Sequence, residues 1–169
     1  MIACTAKLED AGDTEKMILS LGNLFRYNLK TTEQFVTLER ELKIVEDYMY
    51  LQKMRFGSRI KYRLSLETDA AAVMIPSLSL QPIVENAIFH GLKPKAANCL
   101  LQITGRCGED CVDLYIRDNG VGFDPGQTAP KTSPISTGIG LSNVNERIQL
   151  YFGKHYGAYI TSVPGTGTE

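Results

Sequence analysis

The sequence predicts an α/β chain: a helical hairpin in residues 1–57, then a unit of strands and helices in residues 58–169. Apolar residues before Phe56 recur at three- and four-residue spacing, and from Ile60 the spacing drops to two. The change falls at Phe56-Gly57. A chain of 169 residues buries about 68–70% of its unfolded surface on folding, enough for one domain or one domain with an appendage.

Asp13 is placed to cap a helix whose apolar residues are Met17, Ile18, Leu21, Leu24, Phe25 and Leu29. Thr37 is placed to cap a second, with Glu39 and Glu41 in its first turn and Leu38, Leu42, Val45 and Met49 along one stripe. The polar stretch Lys30 to Val36 joins the two as an antiparallel hairpin. A stripe so close to a heptad seam suits either a partner helix or the remainder of this chain. Ile60, Tyr62, Leu64 and Leu66 then alternate with Lys61, Arg63, Ser65 and Glu67, the period of a half-buried strand. A third helix starts at Ser79, carries Pro82 in its first turn and stops at Gly91. Leu100 to Cys107 and Cys111 to Asp118 read as a hairpin turning at Gly108-Glu109-Asp110. Residues 123–137, with three prolines, form a loop. Gly138 opens a fourth helix with Leu141, Val144, Ile148 and Tyr151, closed by Gly153, and a strand near Ala158 to Val163 precedes Pro164 to Thr168.

Composition removes several functions. Eighteen Lys and Arg against nineteen Asp and Glu give a net charge of -1, which leaves no basic excess for nucleic acid or an anionic membrane. The longest uncharged stretch, Ala70 to Val84, is shorter than the ~20 residues of a spanning helix and contains two prolines. Four cysteines (Cys4, Cys99, Cys107, Cys111) without a CxxC pair, and two histidines (His90, His155), support neither a zinc site nor a disulfide framework. A reducing, cytoplasmic setting without a signal peptide follows. There is no GxxxxGK[ST], and Gly138-Ile139-Gly140 lacks the third glycine of a dinucleotide fingerprint. Neither histidine has a partnered Ser or Cys nucleophile.

Four polar or glycine-bearing segments remain. Asn86 and His90 are four apart on one face of the third helix, and an Asn amide oxygen suits Mg²⁺ that also binds phosphate; a solvated flank is the plainer reading. Asp118-Asn119-Gly120-Val121-Gly122 ends a strand. It is either a turn or a carboxylate that accepts from an exocyclic amine such as adenine's, beside glycines that admit a ligand to backbone. Gly138-Ile139-Gly140-Leu141 offers backbone N–H groups at a helix start, or is a hinge. Gly165-Thr166-Gly167-Thr168 reads alone as a hairpin turn.

In this order, with the long loop between the second and third, the segments resemble the ATP-binding domain shared by sensor histidine kinases, type II topoisomerases, Hsp90 chaperones and mismatch-repair MutL proteins. Glu85 to Gly91 resembles the N box, Asp118 to Gly122 and Gly138 to Leu141 the two glycine boxes, and Gly165 to Thr168 the terminal glycine-threonine box. Gln52 to Arg59, Ile75-Pro76 and Leu80 to Ala87 narrow this to a resemblance to the autolysin-sensor (LytS-type) histidine kinases. The resemblance implies a two-layer α/β sandwich, a mixed sheet with helices on one face, binding ATP and Mg²⁺ between helices and a lid at 123–137. Asn86 would hold Mg²⁺ through the phosphates. Asp118 would receive the adenine amine, with Thr168 helping through its hydroxyl and a water. Gly120 and Gly122 would lie against base and ribose, Gly138, Gly140 and Leu141 near phosphate, and His90 close to the phosphates.

The family's acceptor histidine lies in a His-Phe-Leu-Phe-Asn-like motif that this sequence lacks. The expected role is therefore a donor of the γ-phosphoryl group to a histidine outside the chain, for relay to a response-regulator aspartate. The chain would begin after the acceptor motif and stop after the terminal box, one strand short of the family's sheet. Homodimerisation through the N-terminal helices, no nucleic acid, no direct membrane contact and a cytoplasmic position within a membrane-anchored bacterial sensor complete the expectation. Gyrase-like ATPases carry a Glu four residues before the Mg²⁺ Asn, whereas Pro82 stands there in this chain. Without that general base, transfer is favoured over an ATP-hydrolysing clamp; a catalytically silent dimerisation module is the third reading.

Overall fold

The computed structural model of the protein describes residues 1–30, 33–108, 111–124 and 139–169. Helices α1 (Ile2–Leu8) and α2 (Gly12–Lys30) lead to a short strand β1 (Phe35–Thr37) and the long helix α3 (Leu38–Phe56). Then come β2 (Ile60–Leu66), β3 (Met74–Pro76), α4 (Leu80–Asn86), a π-helical turn Ala87–Leu92, β4 (Cys99–Cys107), β5 (Val112–Asp118), α5 (Ile139–Phe152), β6 (Ser162–Val163) and β7 (Gly167–Thr168).

The five-stranded sheet runs β2-β4-β5-β7-β6. β2 and β4 are parallel and the remaining pairs antiparallel, which is the expected mixed sheet. Alternation along β4 buries Cys99, Leu101 and Ile103 beneath the helices and turns Leu100, Gln102 and Thr104 to the other face. The core joins these to Leu80, Val84, Ile88 and Leu92 of the third helical segment and to Leu38, Leu42, Val45 and Met49 of α3. The α3 stripe therefore packs within its own chain, and the pattern change at residue 57 marks no break in packing.

The N-terminal part departs from the two-helix reading. Two helices, not one, precede α3, and Asp13 lies inside α2, where its carboxylate accepts from the Tyr50 hydroxyl at 3.1 Å. Most of the stripe that marks α2 as helical is outside the core: Met17, Leu21, Phe25 and Leu29 are exposed. The face laid on α3 is polar at one end, where the Asp47 carboxylate accepts from Ser20 and Asn23, both at 2.8 Å. At its other end Leu24 and Tyr27 pack on Ile44. Part of the supposed linker is strand β1, paired antiparallel with β3.

Thr37 does cap α3, its Oγ accepting from the Arg40 N–H at 3.2 Å. Thr37→Ala should lower stability by about 1 kcal/mol, read from the midpoint of a urea melt. Ser79 precedes α4 as expected, but its hydroxyl donates to the Pro76 carbonyl at 2.6 Å and makes no cap. The third helical segment also runs past Gly91 to Leu92 in π geometry, which satisfies the Lys93 N–H on the Ile88 carbonyl. The strand expected near Ala158 to Val163 is shorter, Ser162–Val163. Pro164-Gly165 makes a tight turn, Gly165 at φ 78° and the Thr166 N–H on the Val163 carbonyl at 3.0 Å, the geometry of a type II turn.

Candidate functional site

The end of β5 delivers a carboxylate into the interior. Asp118 is 4% exposed, and its Oδ1 accepts from the Gly120 N–H at 2.7 Å. Burial pushes its carboxyl above the usual aspartate value, partly offset by the Gly120 and Thr168 backbone N–H groups and the Lys95 charge. Asn119 is held from the opposite side: its Oδ1 accepts from the Leu100 N–H at 2.8 Å, its Nδ2 donates to the Asn98 carbonyl at 2.8 Å, and Lys95 Nζ donates to its backbone carbonyl at 2.6 Å. The Asn119-Gly120 step is thus a clamp between β4 and β5 and no hairpin turn.

Glycines surround the carboxylate because backbone lies where side chains would be. A Cβ on Gly120 would sit 2.3 Å from the Gly91 carbonyl, and one on Gly91 would sit 2.7 Å from Asp118 Oδ1. The Val121 N–H donates to the Gly91 carbonyl at 3.0 Å, which docks the π-helical turn on the Asp118 loop. Gly122, at φ 59°, faces the Val163 carbonyl, and the Gly165 N–H donates to the Val121 carbonyl at 2.6 Å.

Thr168 lies opposite Asp118 in the β5/β7 register. Ser162 organises this corner: its Oγ accepts from the Phe123 N–H at 2.9 Å, donates to the Gly167 carbonyl at 3.1 Å and lies 2.9 Å from Thr168 Oγ.

Asn86 ends α4, half-buried, and its Nδ2 stands 3.7 Å from where a Gly140 Cβ would be; Pro82 Cβ is equally near. Gly140 and Leu141 lie in the first turn of α5, and Gly138 and loop residues 125–137 lie outside the described residues. His90 is half-buried and makes an edge contact with Phe89, centroids 5.1 Å apart. One continuous helical segment, 80–92, thus carries Asn86 to Gly140 at its middle and Gly91 to Asp118 near its C-terminal end. Sequence reasoning missed Ser162, Lys95 and the true use of Gly91. A glycine followed by apolar Leu92 in an unbroken helical pattern is the signal for the last.

The donor set fits a magnesium nucleotide: a buried carboxylate for a hydrogen-bond donor, glycines that leave backbone bare, and a neutral amide beside a helix start. Among the described residues no cluster of three or more His, Cys, Asp or Glu is placed to hold a metal ion.

Residues 1–60 match the family model described as histidine kinase, and residues 76–169 the one described as histidine kinase-, DNA gyrase B-, and HSP90-like ATPase. The chain is 38% identical to the sensor histidine kinase YesM of Bacillus subtilis over 97% of its length and 28% of that protein. It is 31% identical to the sensor protein LytS of Bacillus subtilis over 95% of this chain and 28% of LytS. It therefore spans little more than a quarter of these relatives, 28% in both. The histidine kinase domain of a blue-light activated kinase from Erythrobacter litoralis superposes with a TM-score of 0.53 at 18% identity, covering 92% of this chain and 71% of that one. This likeness bears on the fold.

Proposed function

The chain belongs to the histidine kinase-, DNA gyrase B- and HSP90-like ATPase family, and on that premise we propose that it binds Mg-ATP in a sensor histidine kinase and donates the γ-phosphoryl group to a histidine outside these 169 residues. The observation that carries this reading is the buried Asp118 carboxylate in a cradle where Gly91 and Gly120 leave no room for side chains. Asp118 accepts the adenine amine and Thr168, steadied by Ser162, lies beside it. Gly120 and Gly122 set base and ribose against backbone, while Gly140 and Leu141, where α5 begins, and Gly138 before them in the sequence serve the phosphates. His90 serves as a polar neighbour of the phosphates. Asn86 would hold Mg²⁺, which would neutralise phosphate charge as the bond to the γ-phosphorus is exchanged.

Pro82 near Gly140 puts carbon where a clamp ATPase would need a carboxylate, which favours an external nucleophile over water. Catalysis by this chain is then positioning and charge complementarity, with the acceptor supplied from elsewhere and a response-regulator aspartate as the next recipient. The exposed stripe Met17, Leu21, Phe25 and Leu29 supports a homodimer through α2. No helix among the described residues is long and apolar enough to cross a membrane, and we read the chain as a cytoplasmic part of a membrane-anchored sensor.

Isothermal titration of the chain with ATP and ADP, with and without Mg²⁺, tests the assignment. Binding that tightens with Mg²⁺ is expected, and the absence of any nucleotide heat would defeat it.

A further inference from the structure

The side chain that caps α4 belongs to another helix. Glu41 of α3 is 0% exposed, and its Oε2 accepts from the Leu80 N–H at 2.8 Å while its Oε1 accepts from the Leu78 N–H at 2.6 Å. The Leu80 N–H opens α4 and has no partner within the helix, the Leu78 N–H belongs to the turn just before it, and Ser79, the residue placed to cap, bonds elsewhere. Glu41 Oε1 takes a third hydrogen bond, from the Tyr27 hydroxyl of α2, and the same hydroxyl oxygen lies 3.3 Å from the Leu78 nitrogen. Leu78 is one of three non-glycine residues at positive φ among those described, at 58°. The junction thus holds a conformation that leucine disfavours. Burial and the neighbouring Glu41 raise the Tyr27 pKa, which keeps the hydroxyl protonated as a donor.

Three helices therefore meet at one carboxylate, and the helix being capped ends at Asn86. From this geometry we infer that Tyr27 and Glu41 are a positioning pair for Asn86: the seating of α2 on α3 sets the axial position of α4 and thereby the hold on the nucleotide's magnesium. The inference rests on the proposed nucleotide reading for its consequence, but the mechanical link does not. Tyr27 reaches α4 through this hydroxyl and its packing with Leu24, Ile44 and Leu78, so removing the oxygen alone tests the link. A buried carboxylate that loses one of three donors relaxes toward the remaining two, and the helix start shifts with it.

The experiment uses the 169-residue chain carrying Tyr27→Phe, Asn86→Ala or both. Tyr27→Phe should weaken Mg-ATP binding by about three- to tenfold, as expected for one hydrogen bond, and leave Mg²⁺-free nucleotide affinity within about twofold. Added to Asn86→Ala, it should cost nothing further. Equal losses with and without Mg²⁺, losses that multiply in the double variant, or no loss at all would overturn the inference. Amide exchange of the ligand-free chain provides the independent readout: Tyr27→Phe should speed exchange from Leu80 to Asn86 and leave β4 unchanged, and Glu41→Gln should do the same more strongly. If α4 exchange ignores both variants the inference fails whatever the nucleotide does. If it responds in a chain that binds no nucleotide, the link stands and the functional reading is what fails.

Discussion

Asp118→Asn is expected to weaken nucleotide binding by about 10- to 100-fold while leaving the ligand-free fold at least as heat-stable as the wild type. The asparagine oxygen can keep the Gly120 N–H, which lies 2.7 Å from Oδ1, but the new NH₂ would point a donor at a donor amine. Stability should not suffer, because the wild-type carboxylate is charged against the pull of burial. The signs with pH are opposite for the two quantities. Binding needs the charged carboxylate, so affinity falls as pH drops through a pKa raised above the ordinary aspartate value. Ligand-free stability gains from a raised folded pKa, a contribution fully present below the unfolded pKa and lost as pH climbs through the folded one. The Asp118→Asn substitution removes both dependences, and calorimetry of the two proteins from acid to neutral pH would reveal it. A large drop in melting temperature instead would mean that Asp118 is a structural residue.

Gly167→Ala should have the largest effect on the fold, about 3 kcal/mol or more, and should abolish nucleotide binding with it. Its φ is 130°, and a Cβ there would lie 2.1 Å from the Asp118 carbonyl oxygen and 2.9 Å from Asn119 Cα. Both neighbours are backbone at the end of a central strand, so neither can swing aside. Gly153→Ala is the matched control: φ is 93° with nothing within 4 Å of the new carbon, and only the conformational cost of about 1–2 kcal/mol applies. Urea melts of the two variants should differ accordingly; equal costs would show that left-handed backbone, and not the close approach to β5, is what Gly167 supplies.

Period-two alternation located β2, β4 and β5 to within one residue because each has one face under helices. Asp118 and its glycines were legible for a related reason: a carboxylate and bare backbone at a strand end contradict ordinary core chemistry. What was illegible depended on distant partners. The apolar stripe of α2 named only part of the contact face: Leu24 packs on Ile44, but the rest of the contact with α3 runs through Asp47, Ser20 and Asn23, which periodicity counts as solvent-facing. β1 exists because Met74–Pro76 pairs with it, and a three-residue strand has no period to detect. Glu41 looked like an acidic residue suited to its own helix's first turn, yet it serves the first turn of another. Ser162 is a lone serine whose role appears only once β7 returns to β5.

That return has a consequence for the order in which the molecule assembles. β2, β4 and β5 lie within sixty residues of one another and share a continuous core, while the wall holding Thr168 is a two-residue strand reaching back fifty positions to Asp118. Closing so long a loop for a two-residue strand brings little packing in return, so this corner forms late in folding. A nucleotide seated against Asp118 would bind only the closed corner and hold it by mass action, making closure of the β6/β7 hairpin the folding step that reports occupancy.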